Sequence, residues 1–478
     1  MTTLIALGLT APAAAALELE DCRISAGPAF PGIKARCGRL ERPLNPDDPD
    51  AGTIELKVAV VPALNLEPEP DPLVPLAGGP GQGAISFYSA QQHAFEHVRR
   101  NRDILLVDQR GTGASARLDC AIDEELIEGQ YSLSATIEAT EECLANLPHD
   151  PTWFTTSVAV RDLEAVREAL AYPQLNLYGV SYGSRVAQHY ARRYPDAVRS
   201  IVLDGVVPPQ LALGPDIAVQ AQRALDRIFD RCAEDAGCSE RFPDIAATFD
   251  TLKSKLSSKP VTLRAADPLT GHYESVEFGR NELAAALRLL SYHPNTIAMI
   301  PLLVAEAEGG NYRPLVAQFR MNMSELSEAI ALGMHNAVMC TEDAPFYDDE
   351  LVDRDALASS YIGPVQLEAL TAICSIWPTG PIDPNFKVPL DTDAPVLLLS
   401  GSADPITPPD YADMAAIGLK RAWLLTMPDQ GHGQLAVGCT PRLIERFVAN
   451  AGLDDVDTDC RERNFVMPFF LDFSGPAP

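Results

Sequence analysis

A serine, an aspartate and a histidine of this sequence stand in settings suited to nucleophilic chemistry, in the order Ser181, Asp404, His432. Ser181 lies in Gly179-Val180-Ser181-Tyr182-Gly183, at the end of an apolar run that begins at Leu175 and ahead of a helix-like segment, Ser184–Tyr194. A sharp strand-to-helix turn holds such a serine in a strained conformation, with its hydroxyl raised above the sheet edge. The two glycines are needed where a Cβ would collide with the neighbouring strand or helix. The bare pattern occurs often by chance, and the competing reading is an ordinary connection capped by a serine. The flanking strand and helix favour the nucleophile.

Asp404 follows the apolar strand Pro395–Ser400 in Gly401-Ser402-Ala403-Asp404-Pro405. It therefore falls at the carboxyl edge of a sheet, where open α/β sheets place their sites. His432 follows the strand Ala422–Met427 in Asp429-Gln430-Gly431-His432-Gly433, a loop free to lean over the same edge. A neutral imidazole there takes the serine proton, and an ionised carboxylate fixes its tautomer and stabilises the imidazolium. Asp204, after the strand Ser200–Leu203, is the rival acid, but the Gly-Val-Val-Pro-Pro turn that follows it reads as structural. His93 and His97 have the i,i+4 spacing of a metal pair but no acidic third ligand in a recognisable motif, and read as solvated helix residues. No metal or cofactor is expected. His189 reads as packed or solvent-facing, and His149, His272, His293 and His335 have no context that argues for chemistry.

Acyl transfer also needs two backbone N–H groups aimed at the developing oxyanion, worth about 3 kcal/mol each. One is expected from Tyr182 and the other from Gly78 or Gly79, in the loop Val74-Pro75-Leu76-Ala77-Gly78-Gly79-Pro80-Gly81-Gln82-Gly83. That loop lacks the Lys-Ser/Thr ending of a nucleotide-binding loop; a plain flexible turn is the other reading.

Four segments together resemble the prolyl and tripeptidyl aminopeptidase family of α/β-hydrolases: Gly78-Gly79-Pro80-Gly81, Asp108-Gln109-Arg110-Gly111-Thr112-Gly113-Ala114-Ser115, Gly179-Val180-Ser181-Tyr182-Gly183 and the Asp404/His432 pair. Their order and spacing match over most of the chain, 40–445, and the Asp-Gln-Arg-Gly-x-Gly-x-Ser run is the most specific. That run reads as a structural turn with an internal Arg–Asp pair, bracing the floor of the site after the strand Asp103–Val107. The resemblance implies a mostly parallel sheet flanked by helices, with an inserted helical cap whose acidic residues bind the substrate's free α-amino group. Met339-Cys340-Thr341-Glu342-Asp343 resembles the family's cysteine-x-acid element, which puts Glu342, with Asp343 beside it, in that role. Ala77 stands where the smaller prolyl enzymes have a histidine, and this leans the resemblance toward the secreted tripeptidyl branch.

The elements that position these residues follow a recognisable order. The stretch Cys37–Leu64 reads as two strands around a Pro/Asp-rich turn, and Thr156–Ala171 as a helix that Ser157 can cap. The strand-helix alternation then breaks, with helix-like stretches at Ile217–Cys232, Asn281–Leu290 and Met323–Met334, and resumes at Val396. The expected division is a signal peptide over 1–16, hydrolase core over 17–211, cap over 212–387 and core again over 388–478.

With 478 residues, 46% of them hydrophobic, the chain has material for a large core and a cap. Its formal charge of -29 speaks against nucleic acid and anionic membrane as partners, since both demand excess Lys and Arg. The apolar stretch Thr3–Ala16, ending in four alanines, is too short to span a bilayer and suits a signal sequence, though it lacks the usual leading Lys or Arg. No later stretch is long and apolar enough for a membrane span. The ten cysteines fall in neighbouring twos, Cys22/Cys37, Cys120/Cys143, Cys232/Cys238, Cys340/Cys374 and Cys439/Cys460, without a Cys-x-x-Cys. Pairing of neighbours needs the shortest loops, although sequence leaves the connectivity open, and disulfides agree with export.

The expectation is an exported serine hydrolase acting on peptides, of aminopeptidase type. A carboxylesterase with the same three residues is the alternative, and a silent binding module on the same scaffold a more distant one. Residue preference, the length of peptide released and oligomeric state are not legible.

Overall fold

Apolar runs such as Leu175–Val180 and Val396–Gly401 are stable only where both faces of a strand are covered, as in a parallel sheet between helices, and both are interior strands of such a sheet, fully or almost fully buried. The computed structural model describes residues 17–27, 32–120, 132–267, 270–348, 350, 352–454 and 456–476; the expected signal peptide, 1–16, lies outside them.

In chain order the strands are β1 (Glu20–Ile24), β2 (Ile33–Asn45), β3 (Asp48–Val61), β4 (Glu69–Leu76), β5 (Arg102–Val107), β6 (Leu175–Val180) and β7 (Val198–Asp204). A separate hairpin, β8 (Val261–Ala266) and β9 (Tyr273–Phe278), precedes β10 (Val396–Gly401) and β11 (Ala422–Met427); the short β12 (Phe470–Asp472) and β13 (Gly475–Pro476) come last. The main sheet has the order β1-β2-β3-β5-β4-β6-β7-β10-β11. Its first strands run antiparallel, and from β5 through β4, β6, β7 and β10 to β11 every neighbour is parallel. Register aligns the carboxyl ends: Leu76 lies opposite Gly179, Val180 opposite Asp204, Asp204 opposite Leu399 and Gly401 opposite Met427. The loops carrying Gly78, Ser181, Asp404 and His432 therefore leave the sheet along one edge. This is an α/β-hydrolase fold.

Helix Thr156–Ala169 begins as expected, but Thr155 caps it, its hydroxyl accepting the Val158 N–H. Ser157 instead accepts the Asp383 N–H at 2.9 Å. Helices Ile217–Glu234, Ile245–Ser258, Arg280–Leu290, Ile300–Glu308 and Arg313–Ala329 enclose a second core around Leu225, Phe249, Leu287 and Phe319. The β8–β9 hairpin contributes Val276 and Phe278 to that core, so the cap is not wholly helical.

Two stretches depart from the expected division. The helix expected over Met323–Met334 is broken at Ile330–Ala331, where the Ala331 N–H turns to the Gly81 carbonyl at 3.0 Å. The following helix, Leu332–Val338, packs Met334, Ala337 and Val338 into the sheet's own core. At the other end Phe469 lies in the cap core under the Arg231 guanidinium, 4.3 Å from its ring, and the Phe470 N–H reaches Ala298. The C-terminal strands thus belong with the cap rather than with the core expected over 388–478.

All ten cysteines are paired, Cys22–Cys37, Cys120–Cys143, Cys232–Cys238, Cys340–Cys374 and Cys439–Cys460. Each joins its neighbour in sequence. Among the described residues no helix is long and apolar enough to cross a membrane.

Candidate active site

Ser181 occupies the turn between β6 and helix Tyr182–Arg193 with φ 55° and ψ -127°, a conformation that non-glycine residues rarely hold unless the surroundings enforce it. Its own N–H is bound to the Asp204 carbonyl at 2.8 Å. A side chain at Gly179 would stand 2.3 Å from the Gly183 carbonyl oxygen, and one at Gly183 would stand 2.1 Å from that of Leu76. Both glycines are required by that close passage of helix and strands.

Across the edge, His432 Nδ1 lies 2.8 Å from Asp404 Oδ2. Asp404 is fully buried, and its Oδ1 accepts the N–H groups of Ile406 and Thr407 at 2.8 and 2.9 Å. Thr407 also donates its hydroxyl to Oδ2 at 2.8 Å and lies 3.1 Å from His432 Nδ1. Burial opposes the charged imidazole, but the Asp404 carboxylate, by charge and hydrogen bond, holds the His432 pKa above its ordinary value. Thr407 escaped the sequence reading, although a hydroxyl three residues after an acid in a Pro-containing turn is a usable signal.

The rival acid has a different task. Asp204 is buried, with both carboxylate oxygens accepting the Gln434 N–H at 2.7 and 2.8 Å and Oδ2 also accepting the Tyr178 hydroxyl at 2.7 Å. Burial pushes its pKa up to about 6, against those hydrogen bonds. Gly205, next in sequence, has φ +59°, and a side chain there would stand 3.0 Å from His432 Cε1. The histidine ring thus lies directly over this glycine.

Gly78 comes so close to the serine that a Cβ would stand 3.1 Å from Ser181 Cβ and 3.6 Å from Oγ. Gly79 and Gly81, both at positive φ, pass against Ile330 and Ala331. The Asp-Gln-Arg-Gly loop supports this floor, but not by the internal pair expected of it. Asp108 accepts the N–H groups of Ile85 and Ala114, both at 3.0 Å, whereas Arg110, fully buried, pairs with Asp162 at 2.6 and 3.0 Å. Arg110 also donates to the carbonyls of Leu44 and Trp153. A buried guanidinium needs several acceptors at once, and the adjacent turn cannot supply them. Gln109 donates to the Tyr182 hydroxyl at 3.0 Å.

Glu342 and Asp343 lie in one π-helical turn, Met339–Asp343, which the Cys340–Cys374 disulfide ties to helix Val365–Cys374. Neither side chain is open to a ligand, for both are fully buried. Glu342 accepts the Thr156 N–H at 2.6 Å and its hydroxyl at 2.9 Å, and that hydroxyl lies 2.6 Å from the Tyr182 hydroxyl. Asp343 is held by two Arg185 nitrogens at 2.8 and 2.9 Å, by Lys387 at 3.2 Å and by the Leu213 N–H at 2.9 Å. One guanidinium serves both acids unequally, standing 3.9 Å from Glu342. Burial therefore dominates at Glu342 and pushes its pKa up to about 7, whereas at Asp343 the opposing burial is outweighed by Arg185 and Lys387 and the pKa falls below its ordinary value. The structure differs here from the amine-binding role expected of the pair: every carboxylate oxygen already has a protein partner.

His189 is packed, stacked 3.9 Å from the Phe386 ring, and His93 is exposed beside Glu96. Among the described residues no group of three or more His, Cys, Asp or Glu is placed to hold a metal ion.

Residues 71–274 match the family described as "alpha/beta hydrolase fold", and residues 359–460 match "TAP-like protein". The chain is 24% identical over 490 aligned residues to a tripeptidyl aminopeptidase of Streptomyces coelicolor, covering 95% of this chain and 88% of that protein. It is 26% identical over 440 residues to the serine protease Hip1 of Mycobacterium tuberculosis, covering 82% of this chain and 80% of that one. A proline iminopeptidase of Neisseria meningitidis is 30% identical over 139 residues, 29% of this chain and 34% of its own. These matches and relatives, spread over most of the chain, support a TAP-like α/β-hydrolase and a serine hydrolase of the peptidase type.

Proposed function

We propose that the protein is an exported aminopeptidase that releases residues or short peptides from free amino termini through an acyl-enzyme on Ser181. The contact between His432 and Asp404, 2.8 Å long and at the sheet edge that carries Ser181, is the observation that supports this mechanism most directly. His432 takes the Ser181 proton as the hydroxyl attacks the peptide carbonyl, then gives it to the leaving amine; water repeats the cycle on the ester. Asp404 holds the imidazole in the productive tautomer. The N–H groups of Tyr182 and of Gly78 or Gly79 stabilise the oxyanion. Relatedness along nearly the whole chain to a tripeptidyl aminopeptidase supports the peptide substrate, and five disulfides agree with export. Glu342 acts through Thr156 on Tyr182, fixing the side chain of the residue whose N–H serves the oxyanion.

Matched fluorogenic peptides with free and N-acetylated amino termini, assayed beside a small ester, test the proposal. Cleavage of the free peptides at least ten times faster is the expected result. Equal rates overturn the exopeptidase reading, and hydrolysis of the ester alone replaces it with an esterase.

A further inference from the structure

Helix Arg313–Ala329 stops where its sequence pattern would carry it on, and two extended residues intervene before helix Leu332–Val338. Ile330 has φ -104° and ψ 123°, and Ala331 has φ -76° and ψ 103°. Nothing local requires this break: Ala329-Ile330-Ala331-Leu332 contains neither glycine nor proline, and alanine and leucine are among the best helix formers. The glycine loop holds the chain open instead. The Ala331 N–H donates to the Gly81 carbonyl at 3.0 Å, and Ile330 pairs with Gln82 in an isolated antiparallel bridge.

The two segments are in close register. A side chain at Gly81 would stand 2.7 Å from the Ala331 carbonyl oxygen and 3.0 Å from Ile330 Cγ2, and one at Gly79 would stand 3.1 Å from Ile330 Cδ1. The next turn docks on the other loop of the floor. The Met334 N–H donates to the Leu118 carbonyl at 3.2 Å, and a side chain at Gly111 would stand 2.7 Å from Met334 Sδ. Residues 330–334 therefore grip both the glycine loop and the Asp-Gln-Arg-Gly loop.

Gly78-Gly79-Pro80-Gly81 has three glycines in four residues, the composition with the most conformational freedom to lose. An oxyanion hole works only if its donors are fixed before the charge develops, so such a loop needs an outside brace. Gly78 already passes so near the nucleophile that a Cβ there would stand 3.1 Å from Ser181 Cβ. We propose that Ile330 and Ala331 are positioning residues for the oxyanion hole. Their pairing with Gly81 and Gln82 fixes the N–H groups of Gly78 and Gly79 relative to Ser181, without either residue touching substrate. A displacement of about 1 Å in such donors costs about a hundredfold in rate. The inference rests on Ser181 as nucleophile and the glycine loop as oxyanion donor, and not on the substrate being a peptide.

Ala331→Pro tests this directly. The φ of -76° suits proline and the extended Ile330 suits the residue before it, so the substitution removes one N–H and pushes the Gly81 carbonyl away. Ile330→Ala keeps every main-chain bond and removes only the side chain packed on Gly79 and Gly81. The measurements are kcat and KM on a small ester and on a free peptide, with the affinity of a boronate whose tetrahedral adduct on Ser181 places an oxygen in the hole. Ala331→Pro is expected to lower kcat about a hundredfold with little change in KM, and to weaken boronate binding by a similar factor. The acid limb of kcat/KM should stay in place, because the substitution removes nothing bound to His432. Ile330→Ala should show a smaller loss with the same split, and it decides the question alone if Ala331→Pro does not fold. Ala331→Gly, which keeps the N–H, should retain most of kcat. If the native enzyme cleaves the ester and no peptide, the same losses on the ester keep the assignment, and only the peptidase reading falls. An unchanged kcat in the folded variants, or a fall in kcat with boronate binding intact, overturns the proposal.

Discussion

Asp204 and Gln434 are 230 residues apart in sequence, yet both oxygens of the Asp204 carboxylate close on the Gln434 N–H at 2.7 and 2.8 Å. Because the Asp204 carbonyl also takes the Ser181 N–H, one residue anchors the serine turn by its main chain and the histidine loop by its side chain. Asp204→Ala leaves a buried N–H and the Tyr178 hydroxyl unpaired, which costs about 1–3 kcal/mol for each group. The variant should melt at a lower temperature and lose kcat far more than it gains in KM. Asp204→Asn, which keeps an acceptor for Gln434, should recover most of kcat. Full activity in Asp204→Ala would show that the histidine loop does not depend on this contact.

The pH profile reports on His432 and Asp404. The reacting imidazole must be neutral, and its pKa is held above the ordinary value chiefly by Asp404 against the effect of burial. The acid limb of kcat/KM should therefore lie above pH 6.5, about the ordinary histidine value. Asp404→Asn should lower kcat by about 10⁴ and move that limb to lower pH. A limb unmoved by the substitution would assign the titration to another group.

Much of this site was legible because its key residues follow apolar strands that must end at one edge: β6 before Ser181, β10 before Asp404, β11 before His432. The partners that hold them were not. Arg110 with Asp162, Arg185 with Asp343 and Asp204 with Gln434 are separated by 52, 158 and 230 residues, so no local spacing signals them. For the same reason Glu342 could be matched to an acidic position but not foreseen as enclosed. Its surroundings come from Thr156 on one side and a disulfide-tied turn on the other. The break at Ile330–Ala331 was hidden by a helical pattern that runs on through it, and the Ala331–Gly81 contact that enforces it is tertiary.

Glu342 carries a stability signature. Its pKa is raised in the folded protein, from 4.5 to about 7, chiefly by burial. A raised carboxyl pKa contributes stability that is complete below the unfolded value and lost as pH rises through the folded one. Thermal melts of the native protein and Glu342→Gln should thus converge in favour of the variant between pH 4.5 and 8, by at most about 3 kcal/mol. A native advantage that grows over this window would contradict the enclosed, poorly compensated carboxyl.

The disulfides predict that no thiol reacts with a maleimide in denaturant without reductant. Cys340 and Cys374 hold the turn that carries Glu342 and Asp343. Replacing both by alanine should cost about 2–5 kcal/mol and lower kcat through the Thr156–Tyr182 contact. Several rapidly reacting thiols would refute the pairing.

The most direct test of the account is covalent labelling with a fluorophosphonate, followed by peptide mapping. The predicted result is a single adduct on Ser181, formed slowly or not at all in His432→Ala, with labelling and turnover both abolished in Ser181→Ala. An adduct on any other serine, or undiminished labelling of Ser181→Ala, would contradict the assignment of Ser181 as the nucleophile.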